Sequence, residues 1–259
     1  MLDIKKFGKK FKEGLKLDTS PLVIYESKNI PEDAIPMCSI DRCIVKSILL
    51  TSTGENDKPL YINNKTLKRC CPGSITYLGY TKPAKFIKYF VSTGKETFRG
   101  GAAEYLKGSP EDVEKYLESI GKVTPFENNM IIQKCENIEE DIAVNTENDT
   151  NIKAILIFGE AEQIRNLGNL IFFKNENTFG GLSMPFGPSC ASFITYPCGM
   201  AEKTPEGTAF VGPVDPTGNS WFPSDYLAMG IPIEIAMNLY ENIDHSFIIK
   251  RPEVAFPEK

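Results

Sequence analysis

The run Ile152-Lys-Ala-Ile-Leu-Ile-Phe158 constrains the fold more than any other stretch of this chain. It is apolar apart from one lysine and rich in isoleucine. Such a run is a strand buried on both faces, so the chain must build a sheet with something packed on each side. Gly159-Glu160 follows, and residues 161–173 carry a helical pattern. This strand–glycine–helix unit has neither G-x-G-x-x-G nor G-x-x-x-x-G-K, so it reads as a plain turn and not as a phosphate loop.

Other elements are legible on both sides of it. Further strands are expected at Pro21–Tyr25, Lys58–Ile62, Asn129–Lys134 and Ser246–Lys250. Helices are expected over 3–16, 40–50, 83–91 and 232–243. Ser109-Pro110-Glu111-Asp112 is a strong helix start, with a serine cap, proline at the first position and acids in the first turn. Gly121 ends that helix. From Phe179 to Pro223 the chain is rich in Gly and Pro, with Ser224-Asp225 capping a short helix. That stretch is long for a passive connection, so it is expected to carry function. Strands alternate with helices throughout. The fold class is therefore α/β or α+β, a mixed sheet with helices.

Residues 1–259 read as a single compact domain, open to division into two similar halves, 1–135 and 152–259. The join is 136–151, which holds six acids and no Lys or Arg up to residue 150. It reads as an exposed loop that the core does without. Residues 3–16 carry a net +4, with Ile4, Phe7, Phe11 and Leu15 on one face. This is a solvated helix packed on the body, with a membrane-surface or partner helix as the alternative.

The whole chain has Lys+Arg 29 against Asp+Glu 34, a net charge of −5, so no basic field calls for nucleic acid. No apolar run approaches the ~18 residues that would span a bilayer, and the N-terminus lacks the apolar core of a secretory signal. A cytoplasmic protein is expected, with self-association left open.

One histidine, His245, removes every mechanism or metal site that needs two. The chemistry narrows to seven cysteines: Cys38, Cys43, Cys70, Cys71, Cys135, Cys190 and Cys198. Without an export signal they are expected to be reduced thiols or metal ligands. No C-x-x-C occurs, so any metal centre must gather single ligands from distant segments.

One internal echo stands out. Cys71-Pro-Gly-Ser-Ile-Thr-Tyr77 can be laid on Cys190-Ala-Ser-Phe-Ile-Thr-Tyr196, with a glycine after each at Gly79 and Gly199. Both read as short helices headed by a cysteine, where the helix dipole favours a thiolate. A duplication would pair the two helices across a pseudo-twofold axis. Pro197 is expected to end the second helix, letting Cys190 and Cys198 reach one centre.

Four stretches carry a family resemblance. They are Leu17–Ile24; Cys43–Leu50 with Leu60-Tyr61, Cys71-Pro-Gly and Leu78-Gly79; Ile155–Gly159 with its helix; and Cys190-Ala through Gly230-Ile-Pro232. In these the chain resembles the domain-of-unknown-function 169 family of prokaryotic proteins, most familiar in anaerobes and archaea. The resemblance implies a cytoplasmic protein whose cysteines are its working parts. Gly212-Pro-Val-Asp215-Pro-Thr-Gly218-Asn departs from the pattern, which has an arginine in this region, so no role that needs that arginine is carried over.

Three functions compete at this point. The first is a cysteine-ligated metal site, an iron–sulfur cluster or zinc used in redox or small-molecule chemistry. Its ligands would be Cys71, Cys190, Cys198 and Cys43, with Cys38 as the substitute, and a redox protein as partner. The second is a metal-free small-molecule site or thiol enzyme. It would be shaped by Gly180, Gly181, Gly187, Gly207 and Gly212, with Cys71 or Cys190 as nucleophile and Asp215 or Asp225 as anchor. The third is an interaction protein with core cysteines, for which Trp221-Phe222-Pro223 is a candidate contact loop.

Overall fold

A computed structural model describes residues 3–94, 105–138, 150–215 and 221–250. One eight-stranded mixed sheet runs through it. Its strands are β1 (Leu22–Ser27), β2 (Ile35–Pro36), β3 (Leu60–Ile62), β4 (Asn129–Lys134), β5 (Thr150–Glu160), β6 (Leu182–Ser183), β7 (Ala209–Gly212) and β8 (Tyr226–Pro232). The order across the sheet is β2-β3-β4-β1-β5-β8-β7-β6.

That order is a palindrome of two four-stranded halves. Within β1–β4 the order outward from the middle is β1, β4, β3, β2; within β5–β8 it is β5, β8, β7, β6. Orientation repeats as well. Each half pairs its first strand antiparallel to its fourth and its fourth antiparallel to its third, and the parallel pairs are at the two edges. The halves meet at the antiparallel β1–β5 pair, where Leu22 faces Leu156.

Side chains of the central strands alternate between two cores, as the period of a strand requires. Val23, Tyr25, Ile155, Ile157, Met229 and Ile231 enter one core. Leu22, Ile24, Ala154, Leu156, Phe158 and Ala228 enter the other. The strand over 152–158 is thus buried on both faces, as its composition predicted, but its neighbours are antiparallel.

The first core is covered by helices α1 (Ile4–Gly14), α6 (Ala161–Ile171) and α7 (Ile233–Asn242). α1 puts Ile4, Phe7 and Phe11 inward, with the two phenyl rings stacked at 4.0 Å. Its lysine face stays outward, and Lys10 sits 4.8 Å above the Tyr240 ring. The basic N-terminal helix therefore packs on the body.

The second core is covered by α2 (Ile44–Thr53) and a π-helical turn at Ala191–Thr195. The short helices α3 (Pro72–Tyr77) and α4 (Ile87–Ser92) and the longer α5 (Pro110–Ile120) extend this side. Ser109 caps α5 by accepting the Asp112 N–H at 3.2 Å, and Gly121 follows at φ +70, as the sequence predicted. Among the described residues, no helix is long and apolar enough to cross a membrane.

Several expectations are corrected. The helix expected from residue 40 begins at Ile44, because the Asp41 carboxylate accepts the Cys43 N–H at 2.8 Å and holds a turn there. Residues 246–250 form no strand; Phe247–Lys250 is a short helix, α8. Ser224-Asp225 leads into β8 and not into a helix. The acidic join also divides. Cys135–Asn137 is a 3-10 turn, Ile138 is buried in the first core, and Glu136 accepts the Ser20 hydroxyl at 3.1 Å. Residues 139–149 lie outside the described residues.

Candidate functional site

Cysteines head three helices on the second face of the sheet. Cys43 is the N-cap of α2, Cys71 of α3 and Cys190 of the π-helical turn. The palindromic sheet shows which of them correspond. Cys43 stands seven residues after the end of β2, and Cys190 seven residues after the end of β6, the equivalent edge strand. Cys71 follows β3 instead. The echo between Cys71 and Cys190 is therefore one of letters. The topological counterpart of Cys190 is Cys43.

The three cysteines come near one another. Cys71 donates its N–H to the Arg42 carbonyl at 2.8 Å, which sets its backbone beside Cys43. Burial pushes the Cys43 thiol up, and the charge of Cys71 adds to the rise. Burial also pushes the Cys190 thiol up, with Cys43, Cys71 and Asp215 acting in the same direction. At a helix start a thiolate was expected; here desolvation outweighs the helix N–H groups at both Cys43 and Cys190.

The expected iron–sulfur or zinc site is overturned. Among the described residues, no group of three or more Cys, His, Asp or Glu side chains is placed to hold a metal ion. Cys38, the substitute ligand, is disulfide-bonded to Cys70 with Cα atoms 5.2 Å apart, so these two are not the reduced thiols that were expected. The π-helical turn ends at Thr195, before Pro197, as expected, and Cys198 follows it with its N–H bonded to the Ile194 carbonyl at 3.0 Å. The Cys198 thiol is pushed up by burial and opposed by Lys153, with no cysteine acting on it.

The other candidates are placed as follows. Cys135 is a buried core residue against Gly8 of α1. His245 is exposed in a turn after α7. Asp225 is exposed, and its carbonyl accepts the first N–H of α6. Trp221 packs against the second core beside Phe222, their rings 6.0 Å apart. Asp215 is buried and acts on Cys190.

A tyrosine layer separates these cysteines from an open cavity of about 660 Å³. Tyr116 of α5 and Tyr196, just past the π-helical turn, form part of the cavity wall. The Tyr77 hydroxyl donates to the Tyr116 hydroxyl at 2.9 Å. Burial pushes Tyr77 up, and Tyr196, Cys190 and Asp215 add to it. Gly187 makes room for this layer. It stands at φ +145, and a Cβ there would lie 2.6 Å from the Tyr116 hydroxyl and 3.4 Å from that of Tyr196. The Tyr196 hydroxyl is buried beside Tyr116, which acts on it, and burial pushes Tyr196 up.

Lysines supply the charge of the cavity. Lys107, Lys115 and Lys203 line it, against one carboxylate, Asp112. Lys107 Nζ lies 4.1 Å over the Phe186 ring and 5.5 Å over that of Tyr116. Lys203 Nζ donates to the Glu118 carbonyl at 2.9 Å. Sequence reasoning missed this site. Of the glycines expected to shape a pocket, none lines it; Gly207 lines a smaller cavity of about 380 Å³ beside α7. Its three lysines lie just before α5, on α5 and in the loop before β7, where lysines look merely solvated.

The buried acids fix a pH response. A thiol has an ordinary value of 9.0, and Cys43, Cys135, Cys190 and Cys198 are all raised by burial. Tyr80 is pushed up to about 12 by burial, with Glu26 adding to it. The folded state holds these protons more tightly than the unfolded chain. Their contribution to stability is whole below pH ~9 and is lost as the pH climbs toward the folded values. A series of thermal melts should show a falling Tm above pH ~9. A Tm that holds flat to pH ~11 would contradict the burial of these groups.

The model of the domain-of-unknown-function 169 family, described as "Uncharacterised ArCR", matches residues 10–242. No curated protein and no solved structure gives a match. Sheet, cysteine-headed helices and cavity wall all fall inside the matched span, and the chain belongs to the domain-of-unknown-function 169 family.

Proposed function

We propose that this protein binds an anionic small molecule with a flat apolar part, in the cavity between α5 and the β6–β7 edge. The observation that carries the reading is the charge of the cavity. Three lysines meet one aspartate there, in a chain whose net charge is −5. A local field opposite to that of the whole molecule selects ligands of negative charge. Phe186, Tyr116, Tyr196 and Phe210 give the apolar wall. The ammonium groups of Lys107, Lys115 and Lys203 give the polar contacts that orient the ligand. Cys190 and Cys43 stay protonated at neutral pH, so in this reading they form the polar floor behind the tyrosines while the lysines attract the ligand.

A matched pair of fluorescent probes tests this. 8-Anilinonaphthalene-1-sulfonate carries the charge, and N-phenyl-1-naphthylamine is its neutral analogue. The sulfonate should bind more tightly to the native protein. Lys115→Ala combined with Lys203→Ala should weaken it about tenfold, the size of one charge-assisted hydrogen bond, and leave the neutral probe unchanged. Equal binding of the two probes, or a sulfonate affinity indifferent to both lysines, contradicts the reading.

A further inference from the structure

Two chain segments cross beside the site just described, and cysteines occupy both. Residues 38–43 hold Cys38 and Cys43; residues 70–71 hold Cys70 and Cys71. The Cys38–Cys70 disulfide fastens the segments at one end. The Cys71 N–H to Arg42 carbonyl bond, at 2.8 Å, fastens them at the other. Cys43 and Cys71 thus lie at one crossing, near enough for the charge of Cys71 to act on Cys43; beside them the Cα atoms of Cys38 and Cys70 stand 5.2 Å apart, within the span a disulfide bridges. Both are free thiols and both are half-buried, within reach of a small reagent. Burial keeps Cys43 mostly protonated at neutral pH, so it reacts through a small thiolate fraction, which the N–H groups of Val45 and Lys46 favour.

We propose that Cys43 and Cys71 form a redox-active dithiol pair that exchanges with a low-molecular-weight disulfide. The pair does not depend on the anion-binding reading. One thiolate of the pair attacks a sulfur of the reagent R–S–S–R. A mixed protein–S–S–R bond forms, the reagent S–S bond breaks, and one RS⁻ leaves. The second thiolate then attacks the protein sulfur of that mixed disulfide and releases the second RS⁻. Cys43 and Cys71 lose two electrons and two protons, and R–S–S–R becomes two R–SH. Cys190 lies deeper and is not consumed.

Oxidised glutathione is the probe. The full chain is incubated with it under native conditions, then alkylated with iodoacetamide and digested with trypsin without reduction. Trypsin cuts after Arg42, Lys46 and Arg69, so Cys43 travels on its own short peptide. Before oxidation, the Cys38 peptide should be linked only to the peptide that holds Cys70 and Cys71. After oxidation, the Cys43 peptide should join them in one three-peptide species, and fragmentation should place its bond at Cys71. The Cys71→Ser variant should instead trap a Cys43–glutathione adduct, about tenfold more abundant than in the native chain. The native-chain result stands even if that variant fails to fold. Cys43 and Cys71 recovered separately, each alkylated or each carrying glutathione, would overturn the pair. So would a Cys43 peptide bonded to Cys38 or Cys70, which would show scrambling of the existing disulfide.

Discussion

Replacing Gly230 with alanine should destabilise the protein by about 3 kcal/mol, the upper range for overpacking a closed site. Gly230 is in the middle of β8, paired with Leu156 on one side and Phe210 on the other. A Cβ there would lie 2.7 Å from Pro197 Cγ and 2.8 Å from the Ser192 carbonyl. Neither neighbour can give way easily. Proline is rigid, and the carbonyl belongs to the π-helical turn, which also rests on Gly212 of β7. The strand cannot retreat either, because it is bonded on both sides. The turn must therefore lift from the sheet, carrying Cys190 and Tyr196 with it. Urea denaturation should show the loss, and the sulfonate probe should bind the variant more weakly. A cost below ~0.5 kcal/mol would mean that the turn is not seated on the sheet.

Removing the Cys38–Cys70 disulfide should cost about 3–4 kcal/mol by the chain-entropy argument, since it closes a loop with a sequence separation of 32. The effect acts on the unfolded chain, which gains freedom when the loop opens. The Cys38→Ser/Cys70→Ser double variant and the reduced native protein should therefore lose similar amounts in urea. The single Cys70→Ser variant should not do better than the double one, because it leaves Cys38 as an unpaired thiol in the second core. A loss under ~1 kcal/mol would show that contacts between the segments already restrict the unfolded chain.

Much of this fold could be read from local chemistry. β4 lies at Asn129–Lys134, where a strand was expected, and α5 begins at the serine–proline signal. Both are set by residues within the element. β6, β7 and β8 were invisible for the opposite reason. β8 carries Gly230 in its centre and Pro232 at its end, residues that ordinarily mark loops. Gly230 is there because a π-helical turn packs on it, a demand made by residues 192–197 and not by the strand.

The site divides in the same way. Its cysteines could be named from the sequence because the residue type is rare and chemically distinct. Their grouping could not. Matching letters paired Cys71 with Cys190, while the palindromic sheet pairs Cys43 with Cys190. The disulfide and the drift of Cys198 toward Lys153 depend on how helices seat on the sheet, which spacing along the chain does not reveal. The cavity was missed because Lys115 and Tyr116 on α5 meet Tyr196 and Lys203 only in three dimensions.

In the proposed reading, an anionic ligand sits in the lysine–tyrosine cavity. The most direct measurement is anomalous diffraction from crystals soaked with 4-iodobenzoate, whose iodine marks its own position. An iodine peak is expected between the Phe186 and Tyr196 rings, with the carboxylate toward Lys115 or Lys203, and no such peak in a crystal of the double lysine variant. Iodine found only elsewhere on the molecule, or in the cavity regardless of the lysines, would contradict it.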